Sequence, residues 1–541
     1  GQYCGVYSIH ENHDENWQQF NWGYDVDEIN YLKEDGSTIT VKEGSDSLWW
    51  DIYNYATTQS PLTTTYYDYL DQRIDFRNYA DYFIVQTFVN NGDWIGDWTN
   101  NIKFWSPRKP GGKLKYLVYD LDMGFGYGGA SVNDNRLSMA INPSSFCHSS
   151  ELFDKVTDNP TFQRYFINRY ADLINTIFQE DSLDRVMFGI RDSMTVDMPE
   201  HFAKWGSNMS TWANYISDMQ DYYSRRPSIV RNQIESQFGM TDQVTLTLNV
   251  FPANAGRILI STIIPSGYPW QGVYFNGNPV TITAIPNPGF TFDHFTSANL
   301  GVSNINATNT VNFTANQTIT AYFNGSSATP QLYFSEINYN SDGAADCSDW
   351  VEIFNSGTFA VDMSDWEIRD EQDHHRFIVP PGTVLQPNEY LVVSEDLEKF
   401  NALFPAVTNV IGPTGFNFGN DGDQIRLLDH RNLVIDSVYY QDFAPWPLTA
   451  DGGGYTCERA SIPGNPYDGN NWFPGCLGGS PGRSFTGTLG VPINITGNTT
   501  FCNGGTVYLQ ATDVPGFSYQ WYRNGVPVSG ATTPAFTATQ T

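Results

Sequence analysis

The chain has 541 residues, a formal charge of −31 at pH 7, 40% hydrophobic and 15% aromatic residues. That length implies several domains, and the apolar share excludes a disordered chain. A charge of this sign repels phosphate backbones and anionic membrane surfaces, which argues against nucleic acid as a partner.

Gly1 to Ser8 alternates small and apolar residues as a strand does, and Glu11 follows it. The sequence does not begin with Met and starts in mid-pattern, so it reads as a fragment whose targeting signals are missing. No run is apolar enough for a transmembrane segment. Asp75 is an N-cap, and Phe76, Tyr79, Ala80, Phe83, Ile84 and Phe88 follow helical spacing, so a helix is predicted to deliver the chain to Asn90.

The stretch NNGDWIGDWTNNIKFWSPRKPGGKLKYLVYDLDMGFG, residues 90–126, reads as loop, strand, turn, strand, loop. Ile102 to Trp105 and Leu114 to Tyr119 are the strands, and Pro107 to Gly112 supplies the turn. A hairpin returns the chain to its starting end, so Asp93, Asp97, Asn100 and Asn101 before it should meet Asp120 and Asp122 after it. Phosphoryl transfer to a hydroxyl needs such a set. One carboxylate orients the hydroxyl, and a carboxylate with an amide oxygen holds magnesium on the nucleotide phosphates. Asp and Asn are also common in turns, which is the simpler reading of any one of them.

The run N-x-D-W, then N-N-x-K-x-W, then Y-D-x-D-x-G-F-G resembles the CotH family, secreted atypical protein kinases first known from spore coats. GQYCGVYSIHE at the start and RRPSIVRNQIESQFG at the end of the first domain resemble the same family. The resemblance implies a kinase-like fold, ATP with Mg²⁺ or Mn²⁺ as cofactors, and a protein Ser or Thr hydroxyl as acceptor. It also implies Asp93 as the catalytic aspartate, Asn101 as a metal ligand, and Asp120 as the counterpart of the metal-binding Asp of Asp-Phe-Gly, with Asp122 beside it. Here I-G-D-W-T lengthens the spacer between D-W and N-N, so Asp97 aligns to the catalytic position as an alternative. In the family the phosphate-binding cation lies on strands upstream of Gly1, so residues 1–541 alone are expected to transfer phosphoryl groups weakly. Arg73 and Lys103 are the cations that would be reassigned if they prove active.

Three further helices follow. Asn159-Pro160 caps the first, with Phe162, Tyr165, Phe166, Leu173, Ile174 and Ile177 as its apolar face. Leu183, Val186, Met187 and Ile190 mark the second. Trp212, Tyr215, Ile216, Met219 and Tyr223 mark the third, expected to start at Ser210, to break or kink at Pro227 and to resume through Phe238. Core packing is the expected use of these aromatic stripes.

Beyond Met240 the period becomes two and helix signals disappear. Residues 242–325 resemble the divergent B-repeat of internalin-like surface proteins, with Asn276-Gly277 as a hairpin turn. After the linker GSSATP, residues 331–485 read as short strands of a β-sandwich and resemble the lamin tail domain. His374-His375 beside Asp373 is read as solvated surface rather than a metal site. Residues 490–541 resemble part of an immunoglobulin-like module with Trp521 in its core. The expected architecture is thus an α+β kinase-like domain, residues 1–241, followed by all-β modules that fold independently from about Val244.

The six cysteines show neither a C-x-x-C pair nor zinc spacing; Cys457 and Cys476 flank one loop and are the best candidates for a disulfide. The leading functional expectation is an extracytoplasmic, secreted or cell-surface kinase whose β modules bind a surface protein or glycan. The competing one is a non-catalytic adhesion or scaffold protein with a degenerate kinase-like domain.

Overall fold

The computed structural model describes residues 13–14, 17–18, 24–96, 99–143, 146–341, 346–462, 464–484, 493–496, 506–511, 519–523 and 526–539. The expected first strand, Glu11, Asp97, Cys4 and Cys502 lie outside them. The chain forms two compact units, residues 1–286 with 291–325, and residues 287–290 with 326–541.

In the first unit β1 (Ile29–Asp35) and β2 (Thr38–Glu43) form a hairpin that turns at Gly36, whose φ of 59° is the left-handed conformation such turns require. β3 (Ile102–Pro107) adds to β1 and β4 (Lys115–Leu117) adds to β3, giving an antiparallel sheet in the order β2-β1-β3-β4. Helices α1 (Ser47–Thr58) and α2 (Thr64–Asp71) lead to α3 (Phe76–Val89), where the Asp75 carboxylate accepts the Asn78 N–H at 3.0 Å as its cap. Ten of the fourteen α3 residues are buried, so this helix is an axis of the core rather than an amphipathic surface element. Phe83 stacks on Phe153 at 3.9 Å and Phe88 on Phe178 at 4.0 Å. Each such buried ring contributes about 1.5–3 kcal/mol from burial.

α4 (Arg136–Ile141), α5 (His148–Thr157) and α6 (Pro160–Ile174) follow, the last capped by Asn159 as predicted; Ile177 lies past its end and is exposed. α7 (Glu180–Met194), α8 (Met198–Trp205) and α9 (Met209–Phe238) complete the helical part. α9 does not break at Pro227. The adjacent Arg226 is fully buried and donates to the carbonyls of Phe88, Thr87 and Val132 at 3.0, 2.7 and 2.7 Å. This anchorage holds the helix across the proline, a tertiary effect that overrides local propensity.

The β module comprises β5 (Asp242–Phe251), β6 (Gly256–Ile260), β7 (Trp270–Asn276), β8 (Val280–Pro286), β9 (Phe290–Ser297), β10 (Gly301–Asn304), β11 (Thr308–Val311) and β12 (Gln317–Gly325). Its sheets run β10-β9-β12-β5-β7 and β11-β8-β6. Asn276-Gly277 is a turn, but β7 and β8 belong to different sheets, so it is a corner rather than a hairpin. Pairing of β7 with β5 and of β8 with β6 decides this, and no local signal shows it.

The second unit is built on a sandwich. Strands β13 (Leu332–Asn338), β14 (Trp350–Asn355), β15 (Val361–Asp362), β16 (Glu367–Arg369), β17 (Arg376–Ile378), β18 (Val384–Leu385), β19 (Tyr390–Ser394), β20 (Val410–Ile411), β21 (Gly422–Leu428), β22 (Val434–Gln441), β23 (Tyr455–Arg459) and β24 (Trp472–Leu477) supply it. One sheet runs β20-β19-β14-β13-β23-β24 and the other β17-β16-β21-β22, with Phe334, Trp366, Ile425 and Val438 between them. Cys457 and Cys476 are not bonded. Pro474, not Cys476, stands opposite Cys457, which lies in the core. His375 is half-buried: its Nδ1 pairs with the Asp370 carboxylate at 2.5 Å and its ring stacks on Phe416. Further on, strands 493–496, 507–511 and 535–538 form a sheet, and Trp521 stacks on Phe536.

Candidate active site at the open end of the central hairpin

α3 ends at Asn90, which takes the left-handed conformation at φ 60° and returns its N–H to the Gln86 carbonyl. Its side-chain amide donates to the Ser131 carbonyl and the Tyr222 hydroxyl. Asn91, fully buried, donates to Gln86 Oε1 at 2.9 Å and to the Asp120 carbonyl at 3.2 Å, and its Oδ1 accepts the Asp93 N–H. The loop after α3 is thereby tied to the strand end that carries Asp120. Trp94 holds its far side, with its indole N–H on the buried Tyr82 hydroxyl at 2.9 Å.

The register of the hairpin pairs Lys103 with Leu117 and Trp105 with Lys115, so Asn101 and Asp120 leave β3 and β4 at the same end. Both are left-handed, at φ 54°. Outside glycine this conformation is uncommon and best tolerated by Asn and Asp. The Asn101 amide donates to the Asp93 carboxylate at 3.2 Å and to the Asp93 carbonyl at 3.1 Å, and the Asn100 amide reaches the same carboxylate at 3.2 Å. Asp120 is pushed above the usual carboxylate range by desolvation, then by the charge and hydrogen bond of Asp122 and the charge of Asp93, against a hydrogen bond from Asn101. Asp93, Asn101, Asp120 and Asp122 therefore converge as the hairpin argument requires.

Among the described residues, no group of three or more His, Cys, Asp or Glu side chains is placed to hold a metal ion. The donors here are carboxylates with an amide oxygen, hard ligands of the kind magnesium takes, often only one or two carboxylates at a time. The like-charge crowding that raises Asp120 is what a divalent cation would relieve, so the residues present fit one.

Lys103 is one of the cations near this end; the Arg136 guanidinium lies against the Asp93 loop at Gly92 and Gly96. The Lys103 ammonium lies 4.3 Å from the centroid of the Tyr119 ring, next in sequence to Asp120, and donates to the His13 carbonyl at 2.9 Å. Burial, then the charges of Lys33 and Lys42, lower its pKa, while Asp14 and Asp120 oppose them. Arg73 is elsewhere, paired with Asp51 at 2.9 Å and stacked on Tyr69. The sequence reading missed the role of Asn91, whose signal was only its place in the Asn-rich loop, and the whole β1-β2 hairpin. The alternation of I-N-Y-L and T-I-T-V around D-G-S had offered that hairpin.

The G-F-G run is also accounted for. Gly126 has φ 84°, and a Cβ there would come within 2.8 Å of the Tyr222 ring. Only glycine fits so close an approach.

Three family models match successive stretches of the chain: CotH kinase protein at residues 1–230, divergent InlB B-repeat domain at 246–327, and lamin tail domain at 325–442. No curated protein gives a significant match. A crystal structure of a DUF4876 family protein from Bacteroides thetaiotaomicron aligns at 11% identity over 44% of this chain and 93% of that chain, with a TM-score of 0.18.

Proposed function

We propose that this protein, a CotH kinase-like domain followed by a B-repeat and a lamin tail module, is an atypical protein kinase acting at the cell surface or after secretion. Its acceptor is a Ser or Thr hydroxyl of a protein. The carrying observation is the convergence of Asp93, Asn101 and Asp120 inside the segment that matches the kinase family.

Asp93, positioned by two amides, accepts the proton of the acceptor hydroxyl as that oxygen forms its bond to the γ-phosphorus of ATP. The bond from that phosphorus to the bridging oxygen breaks, and its electron pair leaves on ADP. Asn101 and Asp120, with Asp122 beside them, would hold Mg²⁺ or Mn²⁺, which when bound supplies positive charge to the phosphates. Lys103 adds a fixed cation on the same side of the hairpin. B-repeat and lamin tail modules are common in extracellular proteins, and here they serve to bind a surface protein or glycan. No helix among the described residues is long and apolar enough to cross a membrane. Metal-dependent transfer of labelled phosphate from ATP, lost in Asp93→Ala, is the test.

A further inference from the structure

α7 is fifteen residues long and buries none of them. An amphipathic helix ordinarily turns its apolar stripe to a core. Here Val186, Met187 and Ile190 face Tyr215, Ile216 and Met219 of α9 across an open groove of about 400 Å³. Val186 is 63% exposed, Ile190 57% and Tyr215 66%. Of the stripe residues expected to pack in a core, Tyr223 is buried whereas Val186, Ile190 and Tyr215 are exposed.

The groove is linked to the candidate active site through Phe125 and the Tyr222-Tyr223 pair. Phe125, three residues after Asp122, lines it together with Tyr223, the two rings lying 6.0 Å apart. Tyr222, next to Tyr223, holds the Asn90 amide that begins the Asp93 loop. Arg191 is the charged side chain in the groove lining, and the surround is net acidic. Residues 180–221 carry eight Asp and Glu against three Lys and Arg. Asp184 sits at its edge, accepting the Tyr223 hydroxyl and the Gln220 amide, while Asp181 and Asp218 are exposed. Methionines and aromatics in a two-helix groove with an acidic surround suit an amphipathic helix with basic flanks.

We propose that this groove docks a basic amphipathic segment of a partner protein, which on the phosphoryl-transfer reading is the acceptor. The groove volume admits two or three apolar anchors, and the carboxylates select Lys and Arg around them. Seated there, the segment places its neighbouring residues toward Asp93.

The test uses the full chain and a labelled synthetic peptide of about 16 residues, with Leu at i, i+3, i+4 and i+7, Lys between them and one Ser. Fluorescence anisotropy is expected to show binding that weakens about tenfold in Ile190→Asp and in Val186→Asp, and falls with added salt. Both positions are exposed, so neither change threatens the fold. Asp93→Ala should bind the peptide as the parent does. Absence of binding, equal binding of a Glu-for-Lys peptide, or binding indifferent to Ile190→Asp overturns the proposal. So does self-association of the parent that Ile190→Asp abolishes, since the groove would then hold a second copy. A peptide that binds through the groove but takes no label from ATP, also when the chain is extended upstream of Gly1, refutes the transfer reading and leaves the docking site standing.

Discussion

Asn101 donates its side-chain amide to both the carboxylate and the carbonyl of Asp93, at 3.2 and 3.1 Å, from the far side of an eight-residue loop. On the proposed function the bond joins the residue that would orient the acceptor to one that would hold the metal, so each would position the other. Asn101→Ala should lower transfer by about two orders of magnitude, in the range seen when a positioning or charge-stabilising group is lost. Asn101→Asp, which keeps an oxygen ligand but cannot donate to Asp93, should restore metal binding and not the rate. Steady-state kinetics beside Mn²⁺ titration separates the two effects.

Asp120 stands among like charges and is exposed, so the fold gains little from it. Asp120→Ala is expected to abolish metal-dependent activity and to cost about 1 kcal/mol of stability, because Ala tolerates φ 54° less well than Asp does. Thermal melts with and without Mg²⁺ check both halves, and Asp122→Ala run beside it identifies which of the pair is the ligand. An inactive Asp122→Ala with an active Asp120→Ala would reverse the assignment.

The β module is less independent than its sequence suggests. Asp172 of α6, completely buried, accepts the Thr262 N–H at 2.9 Å, the Thr262 hydroxyl at 2.7 Å and the Tyr274 hydroxyl at 2.7 Å. Asp172→Ala leaves these donors unpaired and should cost about 2–4 kcal/mol of the first unit's stability, read by chemical denaturation. Burial raises Asp172 to about 6 against the opposing hydrogen bonds of Thr262 and Tyr274. The protonated form is thus favoured in the folded state. Its contribution is fully present below about 3.9, the usual unfolded value, and declines as pH rises through 6.

A larger pH effect belongs to the lamin tail sandwich. Glu336 of β13 stands opposite Glu352 of β14 and Glu458 of β23, and all three are buried. Burial is the main cause that raises Glu336 to about 7, Glu352 to about 8 and Glu458 well above the usual range; the Glu336 charge adds to the last two. Each binds its proton more tightly folded than unfolded, so stability is greatest below about 4.3 and is lost progressively up to about 8. A protein of residues 331–485 should melt cooperatively and at lower temperature at pH 8 than at pH 5. Glu336→Gln should flatten that dependence. A melting temperature that rises with pH over this range would contradict the argument.

The candidate site was legible because its chemistry is local. Asp93, Asn101, Asp120 and Asp122 flank one hairpin, and a hairpin's register follows from two strands and a turn. The capped helices at Asp75 and Asn159 were legible for the same reason. What escaped depends on partners distant in the chain. Arg226 bridging Pro227 to the end of α3, β7 leaving β8 for β5, and Cys457 turning into a core away from Cys476 are set by tertiary neighbours that spacing does not encode. The groove beside α7 escaped because an apolar stripe has the same periodicity whether or not something covers it.

The most direct measurement is transfer of labelled γ-phosphate by the intact protein, with and without Mg²⁺ or Mn²⁺, in the parent and in Asp93→Ala. Label is expected on a protein Ser or Thr, requiring the metal and falling by at least about a thousandfold in Asp93→Ala. Transfer that proceeds without metal, or that survives the loss of Asp93, would contradict the kinase proposal.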